Sequence, residues 1–215
     1  MTVWTMIIKM SEGLGRTCAI FFLTLLFSLP LGLLICLLRM HRNKAVSSVT
    51  RAVISVLRGT PLMLQLLAVT YGPFYLFGIG VAREKLIPVV IAFSINYAAY
   101  FAEIYRGGIE SMSPGQYEAA EVLGYTRGRT FFKIILPQVI KRILPAVTNE
   151  VITLVKDTSL AFTLAYSEVF SLAKQISASQ TSFLPFVIAG VFYYVANYVV
   201  AFVMERFEKA LSYYR

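Results

Sequence analysis

Charge and chemically reactive side chains are scarce in this chain: only 14% of its 215 residues are charged, two are cysteine and one is histidine. A metal centre draws three or four His, Cys or carboxylate ligands into one cluster, and no such cluster or HExxH spacing is present. There is no GxSxG nucleophile elbow and no GxxxxGK[ST] phosphate loop, so neither acyl transfer nor nucleotide hydrolysis has its usual machinery here. Cys18 and Cys36 lie 18 residues apart in one apolar run. As helix that is about 27 Å, too far for a bond between them, and both read as small apolar fillers. His41, between Arg39 and Arg42, reads as a membrane-interface residue. Gly78-Ile79-Gly80 is better placed to end a helix than to hold phosphate.

Apolar residues take the place of charge, at 58% hydrophobic content and a mean hydropathy of +0.70. That is beyond a soluble domain of this size. In a bilayer the backbone must satisfy its own hydrogen bonds, and about 20 apolar residues in a helix cross the hydrocarbon. Five spans are expected from the uncharged runs. They are Thr17 to Leu38; Gly59 to Ala82; Leu86 to Ala102, extended through Tyr105 by accepting Glu103; Ile143 to Val155, which carries Glu150; and Phe183 to Met204. The first run exceeds the roughly 7–15 residues of a signal-peptide core and has no small-x-small cleavage site, so it is read as retained. Between Asp157 and Gln180 the sequence is too interrupted for a sixth span and is expected to be re-entrant or at the surface. The expectation is an all-α membrane protein, one transmembrane domain over residues 1–215.

Lysine and arginine orient the spans. Fourteen fall in residues 39–58, 103–142 and 205–215, against six on the other side (Lys9, Arg16, Arg83, Lys85, Lys156 and Lys174). The positive-inside bias puts the N-terminus outside and the C-terminus in the cytoplasm, as an odd number of spans requires. The net charge of +9 is then topology plus attraction to anionic headgroups. Nucleic acid is a poor partner, because the basic residues are spread over loops without a binding module.

The cytoplasmic loop of residues 103–142 carries a short helix that membrane insertion does not need. Ser113-Pro114-Gly115-Gln116 offers a Ser cap, proline in the first turn and a Gln able to close a capping box. Glu118 and Glu121 suit the positive helix end, and Gly124 can stop the helix in a left-handed turn. A helix over about 114–124 is too short to stand alone. Tyr117, Ala120, Val122 and Leu123 therefore need a surface, either the protein's own spans or a partner. A second helix can start at Thr126 and run into the fourth span, with Pro137 limiting or kinking it.

These residues carry a resemblance. Glu118-Ala119-Ala120, three residues, Gly124, nine residues, then Ile134-x-Leu136-Pro137 resembles the EAA loop of ABC importer permeases at every fixed position. Arg58-Gly59-Thr60-Pro61, Asn96-x-x-Ala99-Tyr100-x-x-Glu103 and Leu154-Val155-Lys156-Asp157-Thr158-Ser159-Leu160 are similar to the polar amino-acid branch. The resemblance implies a type I importer core whose coupling helix (Glu118, Ala119, Ala120, Gly124) docks on a separate ATPase. It also implies two ATP-binding cassette subunits holding ATP and magnesium, a second permease in a homo- or heterodimer, and an extracytoplasmic amino-acid-binding protein. This chain would bind no cofactor, perform no chemistry, and reside in a bacterial cell (inner) membrane.

Glu150 and Asp157 are seven residues apart and share a helix face in the fourth span. Two acids in lipid cost about 2.5–3.5 kcal/mol each, so they should face a cavity or the dimer interior. They are candidates for a cationic ligand group. Asp157 could equally pair with Lys156 or cap the turn at Thr158 and Ser159. Glu150 has no cation adjacent in sequence. Thr60, Gln65, Asn96 and Tyr97 are further lining candidates, and each could instead be an interhelical hydrogen bond. Arg58 reads as a cytoplasmic anchor. Asn149-Glu150 is similar to permeases for basic amino acids, so arginine, lysine or histidine is the favoured cargo. An ion-coupled secondary amino-acid transporter with Glu103, Glu150 and Asp157 as relays is the alternative. The absence of an inverted repeat weighs against it.

Overall fold

A computed structural model describes residues 2–81 and 83–211. Ala82, where the second span was expected to end, and residues 212–215 of the basic tail lie outside the described residues. Nine α-helices occur among the described residues, with a π-helical stretch (Phe131–Ile135) and a 3-10 stretch (Thr158–Leu164) between them.

Helix α1 (Val3–Arg39) starts well before Thr17. Lys9, Glu12 and Arg16 interrupt the apolar run, but Met6, Met10, Gly13 and Thr17 form a buried stripe at helical spacing. Met6 and Met10 pack there on α8 (Val169–Gln180) and on Ala189 of α9 (Leu184–Ala210). At 37 residues, α1 is about 55 Å long, more than the hydrocarbon core needs. Its lower half lies along α4 (Leu86–Glu110), the most buried helix. Gly32 makes that approach possible, because a Cβ there would stand 2.8 Å from Phe101 Cβ. Small residues let helices close in this way in membranes.

The expected second span is shorter than its apolar run. Residues 44–58, expected to lie between the first two spans, join Gly59 in amphipathic helix α2 (Lys44–Gly59), capped by the Asn43 side chain accepting from the Ala45 amide. After Thr60 the chain turns through 109° into α3 (Leu62–Phe77). Pro61 forces the break: Thr60 before it is extended (φ −116°, ψ 147°), as a residue ahead of proline prefers. Gly78, at φ 66°, closes α3 in a left-handed turn as its sequence suggested.

Helix α4 leads to α5 (Pro114–Val122), α6 (Arg127–Thr130), the π stretch and α7 (Leu136–Asp157). Three helices, α1, α4 and α9, are individually long and apolar enough to cross a membrane, and the bent α2–α3 pair passes as one. Helix α7 is long enough at 22 residues but carries Lys141, Arg142, Glu150, Lys156 and Asp157, which membrane helices turn inward. The stretch after Asp157 is not at the surface: Ala161, Leu164, Val169 and Ala173 are fully or almost fully buried. Helix α8, of 12 residues, is too short to cross. Most of the apolar surface of α9 is uncovered.

Candidate functional site

Two places gather the candidate residues. The first is the break between α2 and α3. Pro61 has no N–H, so carbonyls at the end of α2 lose their helical donors. Side chains replace them: Thr60 Oγ1 donates to the Val56 carbonyl (2.8 Å) and Gln65 Nε2 to the Leu57 carbonyl (2.7 Å). Asn96 of α4 donates to that same Leu57 oxygen (3.1 Å) and to Gln65 Oε1 (3.0 Å). Thr60, Gln65 and Asn96 thus form one network that fixes the bend against α4. The interhelical alternative describes their present bonding.

One residue further along α4, Tyr97 donates its hydroxyl to Asp157 Oδ2 at 2.7 Å. Asp157 therefore neither relies on Lys156 for its hydrogen bond nor caps the following turn, where it makes no side-chain cap bond. Glu150 is half-buried and within electrostatic reach of Asp157 and of Arg58. Its lack of a cation held only along the chain. The guanidinium of Arg58 also stacks over Tyr100, 5.0 Å from the ring centroid. Helices α2, α4 and α7 thereby place one cation, two tyrosines and two acids around the bend. Tyr97 itself is only 2% exposed, so it positions Asp157 from behind.

Thr158 and Ser159 stand apart from this group. Thr158 is wholly buried and donates to the Val155 carbonyl, while half-buried Ser159 donates to the Lys156 carbonyl. Glu103, a relay candidate in the alternative reading, is held by Arg106 at 2.6 Å and by Arg39 at 3.8 Å. Sequence reading passed over Glu168, which is fully buried, caps α8 through the amides of Phe170 and Ser171, and accepts from Tyr193 at 2.7 Å. An acid directly before an apolar helical run was the available signal.

The second place is α5. It ends as its sequence suggested: Gly124 has φ 76°, its N–H donates to Glu121, and the Tyr125 N–H reaches back to Ala120. That pair of bonds is the Schellman closure. The start differs from expectation. Ser113 makes no side-chain cap bond, and Gln116 exchanges side-chain hydrogen bonds with Gln138 of α7 (2.9 and 3.0 Å). Pairing across to α7 replaces the local capping box. Thr126 does cap α6, through the Arg129 amide. Of the residues that needed a surface, Ala120 is buried, but Val122 is 88% and Leu123 73% exposed.

With this geometry in view, the profile of "Binding-protein-dependent transport system inner membrane component" matches residues 17–213. The chain belongs to this family. The permease is 35% identical over 201 residues to the nopaline transport system permease NocM of Agrobacterium fabrum, covering 90% of this chain and 83% of that one. It is 35% identical to the arginine transport system permease ArtQ of Bacillus subtilis, covering 94% and 91%. It is 34% identical to the L-cystine transport system permease TcyB of that organism, covering 95% and 87%. A crystal structure of an amino acid ABC transporter with histidines superposes with a TM-score of 0.86 at 33% identity, covering 94% of each chain. The permease is a multi-pass membrane component with the type I fold, and its role is transport, not catalysis.

Proposed function

We propose that this chain is the membrane-spanning subunit of an ATP-driven amino-acid importer in a bacterial inner membrane. Its N-terminus would be outside, and its EAA loop and C-terminus in the cytoplasm. The observation that carries this reading is α5, a nine-residue helix closed on Gly124 with Val122 and Leu123 uncovered. Such a helix is held in place by Gln138 yet presents an apolar end that nothing among the described residues covers. A cleft on an ATP-binding subunit suits it. Two such subunits would carry ATP and magnesium, a second permease would complete the pathway, and an extracytoplasmic binding protein would deliver the amino acid.

Alternating access then needs the spans to rock around a site, and the bend between α2 and α3 provides one. Glu150 and Asp157 would receive an ammonium group, and Arg58, which the sequence reading had set aside, a carboxylate. An amino-acid zwitterion carries both. Relatives named for arginine, nopaline and cystine transport span different side chains, so the lean towards basic amino acids rests on the two acids and on the likeness of Asn149-Glu150 to permeases for basic amino acids.

The test is ATPase stimulation by a panel of basic and neutral amino acids in the reconstituted complex of permease, ATPase and binding protein. Stimulation by amino acids supports the reading, with the largest effect expected from arginine, lysine or histidine. Transport by the chain alone, driven by an ion gradient and without ATP, would overturn it in favour of the secondary transporter.

A further inference from the structure

Behind α5 lies a cavity of about 830 Å³, bounded by the α4–α5 turn, the π stretch and the first turns of α7. Its wall has a simple origin in the sequence. Lys133, Pro137, Lys141 and Pro145 recur every four residues, and Gln138 and Arg142 follow one position on. Residues four apart share a helix face. One continuous face therefore presents three cations over about 13 Å of helix.

Their neighbours leave this charge uncompensated. Among the described residues no carboxylate lines the cavity. Arg142 donates to the carbonyl and hydroxyl of Ser111 (2.7 and 3.1 Å), which holds it at the wall without neutralising it. Ser113, with its hydroxyl unused as a cap, and Gln116 open the positive end of α5 onto the same space. Ile134 and the two prolines make the remaining wall apolar. A ligand matching this arrangement carries phosphate at one end and hydrocarbon at the other.

We propose that this cavity binds the headgroup of an anionic phospholipid from the cytoplasmic leaflet. The site lies at the N-terminal end of α5, at Ser113 and Gln116, and the uncovered Val122 and Leu123 lie at its C-terminal end, so lipid and ATPase need not compete. A phosphate held by Lys133, Lys141 and Arg142 would tie the π stretch and α7 to the turn that carries α5. Lipid charge would thereby set how firmly the coupling helix is held. The proposal rests on the cytoplasmic placement of the loop, but its measurement does not.

The experiment is native mass spectrometry of the full chain, purified with phosphatidylglycerol or phosphatidylcholine. Wild type is expected to retain phosphatidylglycerol selectively. Lys133→Gln with Lys141→Gln should lower its affinity about 25-fold, at roughly fivefold per basic residue, while Lys133→Arg with Lys141→Arg should retain it. Lys44→Gln with Arg51→Gln, on α2 outside the cavity, should change nothing. Undiminished retention by the first double variant overturns the proposal, as does an equal loss in the α2 control, which would mean diffuse attraction. Inorganic phosphate binding as tightly in phosphatidylcholine would make the occupant free phosphate, and exclusion of the lipid on adding the ATPase would assign the cavity to that interface. None of these outcomes bears on coupling, which is read from ATP hydrolysis in a loop variant.

Discussion

The coupling loop and the acid site around Asp157 differ in how their residues are held. In the loop, Gly124 donates to Glu121 and Tyr125 to Ala120, all within six residues of chain, and the apolar end of the helix is bare. At the acid site the partners come from far apart: Tyr97 and Asp157 are separated by 60 residues, and Asn96 and Leu57 by 39. The loop is a locally built handle for something outside the chain, whereas the acid site exists only once α2, α4 and α7 have packed. Damage to the first should leave a folded but uncoupled permease, and damage to the second should cost stability at its buried partner Tyr97 and selectivity at its acid Glu150.

The sharpest way to break this contrast is Gly124→Asp. A Cβ at Gly124 meets nothing within 4 Å, so no clash arises within the chain beyond the backbone strain at φ 76°, about 1–2 kcal/mol for an ordinary residue. Transport by the reconstituted complex should fall about 5–150-fold, the range of a typical coupling energy, with ATP hydrolysis continuing and membrane insertion unchanged. Normal transport would remove the loop from the mechanism.

A smaller effect is expected from Tyr97→Phe, which takes a hydrogen bond from a half-buried carboxylate. Bonds to charged groups are worth about 1.5–3 kcal/mol. The thermal-unfolding midpoint should drop and transport weaken for every substrate alike. If only one substrate class suffers, Tyr97 contacts the cargo directly. Glu150→Gln should instead leave the midpoint nearly unchanged and lower uptake of cationic amino acids more than neutral ones. Equal losses would make Glu150 a structural partner of Arg58.

Two substitutions in α5 separate its local from its tertiary support. Gln116→Ala removes the exchange with Gln138 and should cost about 1 kcal/mol, visible in hydrogen exchange of α5. Ser113→Ala should stay within about 0.5 kcal/mol, since no cap bond is lost; a loss of the usual cap value, about 1 kcal/mol, would restore the capping box that the sequence suggested.

What could be read along the chain follows how local each feature is. The Gly124 and Gly78 closures and the Thr126 cap depend on residues within one or two turns, and they stand where the sequence placed them. The start of α1 was missed because Lys9, Glu12 and Arg16 hid a stripe, Met6-Met10-Gly13-Thr17, whose partners lie in α8 and α9. Helix α2 was missed although Asn43 and the repeat of Val46, Val49, Val53 and Val56 signalled it. Its basic residues had been counted for topology, and a 16-residue amphipathic helix does not register as a span.

The sequence by itself determined the membrane class, the polar residues worth examining and the coupling loop, because hydropathy, charge and helix closure are properties of neighbouring residues. Only the tertiary structure decided which of those polar residues meet. A proline break strands the Leu57 carbonyl, and Gln65 of α3 and Asn96 of α4 both converge on it. Asp157 likewise turns to Tyr97 across the packed helices, not to Lys156 beside it. A buried polar group takes whichever partner packing brings within hydrogen-bond reach, and spacing along the chain does not encode that choice.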